Sequence, residues 1–167
     1  MAQEQTPDID ERPEPLPGHG AAFVPATFTA PEPPRTQNFW LEPLGPQHNE
    51  ADYAAWTSSV EHIHATPGFE SKRWPHPMSV EQNRDDLLMH ADHFERHLGF
   101  TYTVRSTVDN DVIGCVYLYP ADDASVDASV RSWVRLSHAH FDRELWLTVG
   151  AWLTDAWPFT VVADHPR

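Results

Sequence analysis

The feature that most constrains the fold is a strand–helix–strand pattern between residues 128 and 162. Residues 128–136 alternate between apolar and other side chains, which is the period of a half-buried strand. Five apolar side chains then recur at helical spacing: Leu145, Val149, Trp152, Leu153 and Ala156. A second apolar run, FTVV at 159–162, follows Trp157-Pro158. Because a helix that links two strands lets them run side by side in one direction, the pattern predicts a local parallel pair.

The preceding sequence predicts an antiparallel arrangement. Two β-rich runs, 100–106 and 112–119, flank the polar turn STVDND and predict a hairpin. Further upstream, the pattern predicts a first strand within 37–46, a helix within 47–65 and a second helix from Ser79 to Gly99. Ser79 and Gln82 have the spacing of a capping box at the start of this second helix. The order is β-α-α-β-β-β-α-β. It indicates an α/β (α+β) fold in which helices flank a mixed, mainly antiparallel central sheet.

The N-terminal residues differ in composition from the rest of the chain. Eight of the 16 prolines and six acidic residues fall within the first 34 positions, beside one arginine. Such a stretch cannot bury enough apolar surface to offset its chain entropy. We therefore predict a disordered acidic, proline-rich tail over 1–36 and one domain over 37–167.

Charge and cysteine content exclude several classes of protein. The formal net charge of -14 argues against nucleic acid as a partner, since a nucleic-acid binder is usually basic. No run of 18 apolar residues is present, which argues against a membrane partner. The single cysteine, Cys115, excludes an internal disulfide framework and fits a reducing cytoplasm. Its strand context favours a buried, inert thiol.

Three stretches carry a resemblance to a known family. FWLEPLGPQHNEADYAAW, FTYTVRSTVDNDVIGCVYLYP, and SVRSWVRL followed by RELWLTVGAWL resemble, in order and pattern, the GNAT superfamily of acyl-CoA N-acyltransferases. The likeness covers roughly 37–165. It implies transfer of an acyl group from acetyl-CoA, as co-substrate, to an amine of a small molecule or a peptide.

The resemblance also implies positions for the cofactor. In that family a glycine-rich turn between the fourth strand and its helix holds the pyrophosphate, because backbone N–H groups and the helix dipole favour an anion. The corresponding stretch here, SHAHFDREL, has no glycine, and Asp142 is predicted to cap the helix. The residues implied for cofactor binding are Trp133, Val134, Arg135, Leu136, His138 and Arg143.

Candidate residues for catalysis and acceptor binding follow from the same comparison. Tyr119 and Tyr117 are possible proton donors and Asp127 a possible base, since acyl transfer needs a deprotonated amine and a protonated leaving thiolate. Trp74 and His64 would border the acceptor amine. For the tyrosines, a purely structural role in a half-buried sheet is the stronger alternative. For Trp74, a structural role as the anchor of a proline-rich loop is at least as strong.

A histidine stripe raises the alternative of a metal site. His90, His93 and His97 recur along one side of the second predicted helix, four residues after Asp86. Imidazole and carboxylate at such spacing can bind zinc, but a polar shoulder in a chain with 11 histidines is the favoured interpretation. We therefore predict no metal.

Two departures from the family leave a second function open. The glycines are missing, and no tyrosine follows Tyr119, whereas the family often carries a general-acid tyrosine beyond its fifth strand. The alternative is a catalytically inactive, shortened GNAT-like module that binds a partner. The strand edge left open after 162 also makes a homodimer an expectation.

Overall fold

A computed structural model describes residues 23–167. It contains five strands and four α-helices, in the order β1 (Phe39–Pro43), α1 (Asn49–Thr57), α2 (Val60–His64), α3 (Val80–Glu95), β2 (Phe100–Ser106), β3 (Val112–Tyr119), β4 (Ala128–Val134), α4 (Asp142–Ala156) and β5 (Val162–Ala163). Short 3-10 helices cover Pro46–His48 and Leu136–Phe141. Within the described part of the chain, no helix is long and apolar enough to cross a membrane.

The strands form one sheet in sequence order, which confirms the predicted mixed fold. Strands β1 to β4 run antiparallel, and α4 crosses over to bring β5 parallel to β4. The parallel pairing is short, since only Ala128 opposite Val162 and Ser129 opposite Ala163 are in register. Among residues 23–167, no strand therefore pairs with the rest of β4 on its outer side.

The last strand is shorter and later than predicted because one carboxylate takes its backbone donors. Asp127 Oδ2 accepts hydrogen bonds from the backbone N–H of Thr160 (2.7 Å) and of Val161 (2.9 Å). These N–H groups cannot also bond a neighbouring strand. Strand pairing therefore begins at Val162 instead of 159.

Two helices also end differently from the prediction. The pattern over 47–65 is divided between a 3-10 turn, α1 and α2, since Ser58 and Ser59 interrupt it. Helix α3 starts as predicted, because Ser79 and Gln82 exchange both hydrogen bonds of a capping box. It ends at Glu95, before Gly99, and His97 adopts a positive φ of 57°.

The sheet separates two apolar layers. Helix α4 packs on one face, where Leu145 and Val149 meet β-strand side chains such as Val130. Helices α1 to α3 pack on the other, where Trp56 and Trp133 dominate the core. We call these the α4 face and the α1–α3 face.

Residues 23–36 belong to the stretch predicted as a tail, and several of them contact the domain. Val24 is buried in the core beneath α4, and the Phe28 ring lies 5.3 Å from that of Trp157. Leu41 N–H also donates to the Pro34 carbonyl. These few apolar side chains anchor a segment whose composition alone predicts no core. The remainder of the predicted tail, residues 1–22, lies outside the described residues.

Candidate active site

A cleft opens where β5 leaves β4. It has a volume of about 400 Å³ and lies between the outer edge of β4, helix α4 and the segment that follows β5. Val130 and Ser132 contribute from β4, Trp146 and Gly150 from α4, and His165 and Arg167 from the C-terminal segment. The volume falls within the range of ligand pockets in proteins.

Gly150 leaves the α4 wall of the cleft open. A Cβ atom built at this position would have nothing within 4 Å apart from its own helix. Val149 and Leu153, on the neighbouring turns, are buried against the sheet and also border the cleft. The wall is therefore apolar and unobstructed.

Arg167 closes one end of the cleft. Its Nε donates to Asp142 Oδ2 at 2.6 Å, and its Nη2 donates to the Ser132 carbonyl at 2.7 Å. Only 6% of this side chain is exposed, so the ion pair is shielded from water. The Arg167 carbonyl in turn accepts a hydrogen bond from Arg143 Nη1 at 2.9 Å. These contacts tie the C-terminal segment to both β4 and the start of α4.

The turn before α4 is not capped as predicted. Asp142 is the first residue of the helix, and its side chain makes no capping hydrogen bond because it pairs with Arg167. The 3-10 helix Leu136–Phe141 instead bonds the N–H of His138 to the Arg135 carbonyl and that of Asp142 to the Ala139 carbonyl. These backbone donors are occupied by the turn itself, with no glycine.

The cofactor residues predicted on β4 lie mostly away from the cleft. The Trp133 side chain is fully buried on the α1–α3 face, and Val134 is 1% exposed. The backbone N–H of Arg135 donates to the Ile113 carbonyl, and that of Leu136 donates to Ser59 Oγ. On β4, the residues that line the cleft are Val130 and Ser132, which precede the predicted cofactor residues in the strand.

The charged and titratable residues of the turn before α4 point to different places, and not all of them lie near the cleft. Arg143 reaches the Arg167 carbonyl at the end of the cleft, whereas the Arg135 guanidinium pairs with Asp111 at 3.1 Å. His138 bonds Ser137 Oγ through Nδ1 and lies beside the ring of His140. Of this group, the structure brings only Arg143 close to the cleft.

The predicted acceptor residues lie on the α1–α3 face. The Trp74 ring packs against Phe69, Tyr117 and other rings, with 6.1 Å between the Trp74 and Tyr117 centroids. His64 Nε2 lies 2.9 Å from the Pro75 carbonyl. Both contacts hold the loop between α2 and α3, so these residues shape that loop.

The predicted proton donors also lie on the α1–α3 face. Tyr117 Oη accepts a hydrogen bond from Trp133 Nε1 at 3.1 Å, and burial raises the pKa of Tyr117 well above its usual value. Tyr119 Oη lies 2.8 Å from His90 Nδ1 and 3.0 Å from His93 Nδ1. The backbone N–H groups around Val161 hold the pKa of Asp127 below its usual range, which weakens it as a base.

The histidine stripe is partly buried rather than a solvated shoulder. His90 is 7% exposed and also contacts Thr101 Oγ1, whereas His97 lies beyond the end of α3. Among residues 23–167, no group of three or more histidine, cysteine, aspartate and glutamate side chains could hold a metal ion.

Comparison with known proteins identifies the fold. No family model and no curated protein matches the sequence. Among solved structures, a candidate ribosomal-protein-serine acetyltransferase from Vibrio cholerae is similar over 81% of this chain and 74% of its own, with a TM-score of 0.64 and 12% identity. The chain has the GNAT fold.

Two further structures show the same GNAT fold. Ribosomal-protein-S5-alanine acetyltransferase from Vibrio fischeri matches with a TM-score of 0.58 and 12% identity, over 75% of this chain and 69% of its own. RimL, a ribosomal L7/L12 alpha-N-protein acetyltransferase in complex with coenzyme A, matches with a TM-score of 0.57 and 14% identity, over 74% of this chain and 66% of its own. At these identities the comparisons establish the fold alone.

None of the residues that line the cleft was predicted as a site residue, and this includes Ser132, Gly150, His165 and Arg167. Ser132 could have been found, because it alternates with Trp133 and so faces the other side of the strand. Nothing local marks His165 or Arg167, whose partners lie far away in the sequence.

Proposed function

We propose that the protein is an acyl-CoA-dependent N-acyltransferase that transfers an acetyl group from acetyl-CoA to an amine of a small molecule or a peptide. The observation that carries the proposal is the cleft along β4, which opens because β5 pairs with only two β4 residues. Support also comes from the acetyltransferases that share the fold, one of which is a complex with coenzyme A.

The acyl donor would lie along the outer edge of β4. Val130 and Ser132 both line the cleft, and the Ser132 carbonyl points away from β3 toward Arg167. An extended chain that carries amide groups can bond such an edge as an added strand would. The pantetheine arm has this chemistry, and the apolar wall around Gly150 would cover its methylene groups.

The pyrophosphate would depend on side-chain charge. The N–H groups of His138 and Asp142 are occupied within the turn, so these two cannot also hold an anion. Arg143 is exposed at the start of α4, and its planar guanidinium suits phosphate oxygens. We therefore assign Arg143 to the pyrophosphate, with His138 as the second contact.

The acceptor amine would approach from the loop between α2 and α3. This loop carries Trp74 and is held by His64, and it meets the C-terminal segment where Gly68 contacts His165. Tyr117 keeps its proton at neutral pH because burial raises its pKa. It would suit a proton donor to the leaving thiolate, a role that stays a prediction for Tyr117 and Tyr119.

Isothermal titration with acetyl-CoA tests the donor site, and release of free CoA in the presence of amines tests the transfer. We expect heat with a dissociation constant below about 1 mM, which corresponds to roughly 4 kcal/mol of binding free energy. The Arg143→Gln variant should bind more weakly. Absence of heat with folded protein would contradict the proposal.

The alternative is a GNAT-fold module that binds a partner without catalysis. The glycine-free turn favours it, because the N–H groups of His138 and Asp142 are bonded within the turn and are not free for a phosphate. Failure to bind acetyl-CoA would support this alternative. A cytoplasmic location belongs to the enzyme proposal, and the free, buried thiol of Cys115 fits it.

A further inference from the structure

We propose that His165 accepts the proton of the attacking amine, and that Arg167 is the residue that positions it. This inference rests on the proposed acyl-transfer function and names a group at the same site. It supplies a base where Asp127 is committed to backbone hydrogen bonds.

His165 lies between the donor cleft and the loop proposed to receive the acceptor. Its side chain lines the cleft, and its ring also lies against Gly68, between α2 and α3. A Cβ atom at Gly68 would come within 2.9 Å of His165 Cδ2, and Gly68 has a φ of +97°. A glycine is therefore needed both for this backbone conformation and for the approach of the imidazole.

The imidazole is available for proton transfer. Within residues 23–167, neither ring nitrogen of His165 has a hydrogen-bond partner, whereas His64 and His48 are both engaged. Burial lowers the pKa of His165 below its usual value of 6.5. The charges of Arg131 and Arg167 lower this pKa further, whereas those of Glu70 and Asp164 oppose the shift. The ring is thus neutral at pH 7, the state in which it can accept a proton.

Arg167 fixes the backbone that carries this imidazole. Its Nη1 donates to the His165 carbonyl, and its other nitrogens bond the Ser132 carbonyl and the Asp142 carboxylate. Three donors of one planar group thus connect the His165 backbone, β4 and α4. The guanidinium touches the backbone of His165, so it acts through position.

The proposed step balances. The nitrogen lone pair of the acceptor attacks the thioester carbonyl carbon, and the C–N bond forms while His165 takes a proton from that nitrogen. The C–S bond then breaks, and the thiolate of CoA leaves. Tyr117, the proposed proton donor, protonates this thiolate. The imidazolium loses its proton to solvent and the tyrosinate regains one from solvent, so the products are the amide, CoA thiol, neutral His165 and neutral Tyr117.

The first experiment compares His165→Gln with wild type and with His62→Gln, a histidine on α2 that does not line the cleft. CoA release from acetyl-CoA is measured between pH 5 and 9, with a serine-initiated peptide as acceptor. Because general-base catalysis contributes about 10²–10⁴-fold, we expect His165→Gln to lower kcat/KM by about 100-fold. In this variant, kcat/KM should no longer fall at acid pH, and the affinity for acetyl-CoA should stay unchanged. The pH profile of kcat/KM for His62→Gln should match that of wild type.

The second experiment follows the His165 ring by NMR as pH is varied, with and without acetyl-CoA. We expect acetyl-CoA to shift the ring resonances and their titration midpoint. Arg167→Lys keeps the positive charge but cannot make the three guanidinium hydrogen bonds. We expect it to move the titration midpoint of His165 toward 6.5, and to lower kcat with little change in KM. Its melting temperature separates this effect from loss of fold.

The outcomes separate the two proposals. Wild-type protein that binds no acetyl-CoA overturns the proposed function. If the donor binds but the His165 resonances do not respond to it, the role of His165 is overturned and the function stands. If kcat/KM of His165→Gln still falls at acid pH as it does in wild type, the role of His165 is likewise overturned and the proposed function stands.

Discussion

The two faces of the sheet are built differently. On the α1–α3 face, Trp56 and Trp133 are almost completely buried, and each indole N–H has a partner, Asn83 Oδ1 and Tyr117 Oη respectively. On the α4 face, the packing stops where β5 ends, and Gly150 looks onto open space. The comparison shows how one sheet can combine a rigid support with a binding cleft.

The closed face should tolerate loss of a tryptophan least. Replacing Trp133 by Ala removes a fully buried indole and leaves Tyr117 Oη without its donor, so we expect a loss of about 4 kcal/mol in the free energy of unfolding. Urea denaturation measures it. The matched change on the other face, Trp146→Ala, removes a half-buried indole bonded to Asp164 and should cost much less. Equal losses would contradict the difference between the faces.

A buried carboxyl should make the closed face sensitive to pH. Burial raises the pKa of Asp52 to about 6; Asn83 Nδ2 donates to it and opposes the shift, while Asp86 adds to it. The folded pKa lies above the unfolded value of 3.8, so the folded state favours the protonated form. Stability is therefore lost as pH rises from about 4 to beyond 6.

The variant Asp52→Asn should remove this dependence. A shift of about two units corresponds to roughly 3 kcal/mol, which is the upper limit of the gain expected at pH 8. Below pH 4 the wild type and the variant should differ little. Urea denaturation at several pH values measures the effect. A wild type that is equally stable at pH 5 and pH 8 would contradict the assignment.

The open face should respond to filling of its cleft. Gly150→Leu places a side chain where the structure has space, and we expect at least a 10-fold loss in acetyl-CoA affinity, or about 1.4 kcal/mol. Gly150→Ala is the control: it should keep binding and stabilise α4 by up to about 1 kcal/mol. Calorimetry measures the change in acetyl-CoA affinity, and thermal unfolding measures the change in stability. Unchanged binding by Gly150→Leu would place the donor elsewhere.

The smallest expected effect concerns a helix start on the closed face. Ser79→Ala removes the Oγ acceptor for the Gln82 N–H, and we expect a loss of about 1 kcal/mol. Gln82→Ala removes the reciprocal hydrogen bond to the Ser79 N–H and should cost a similar amount. Urea denaturation of both variants measures the free energy of unfolding. If neither substitution lowers it, the capping box does not stabilise α3.

The two helix starts also show how far sequence reasoning extends. Ser79 and Gln82 are three residues apart, so their capping box follows from local spacing and was predicted correctly. Asp142 has an equally good residue type for a cap, yet its carboxylate pairs with Arg167, 25 positions away. A short-range rule cannot anticipate a competing partner that only the folded chain brings near.

The site was harder to predict than the fold for the same reason. The alternation of β4 and the spacing of α4 correctly indicated a strand and a crossover helix. Trp133 was assigned to the cofactor through its backbone, an assignment that stays a prediction, and its side chain faces the α1–α3 core. His165 carried no local signal, since its significance depends on Gly68 and on the cleft.

The sequence by itself determined the kinds of elements and their order, because apolar periodicity, turn residues and one capping box act over a few residues. Tertiary structure decided where the sheet opens, since β5 leaves β4 after the pairing of Ala163 with Ser129 and so exposes the edge of β4 at Val130 and Ser132. It also decided which charges meet at the cleft. Those contacts join residues 25 to 35 positions apart, and only the register of the strands and the crossover of α4 bring them together.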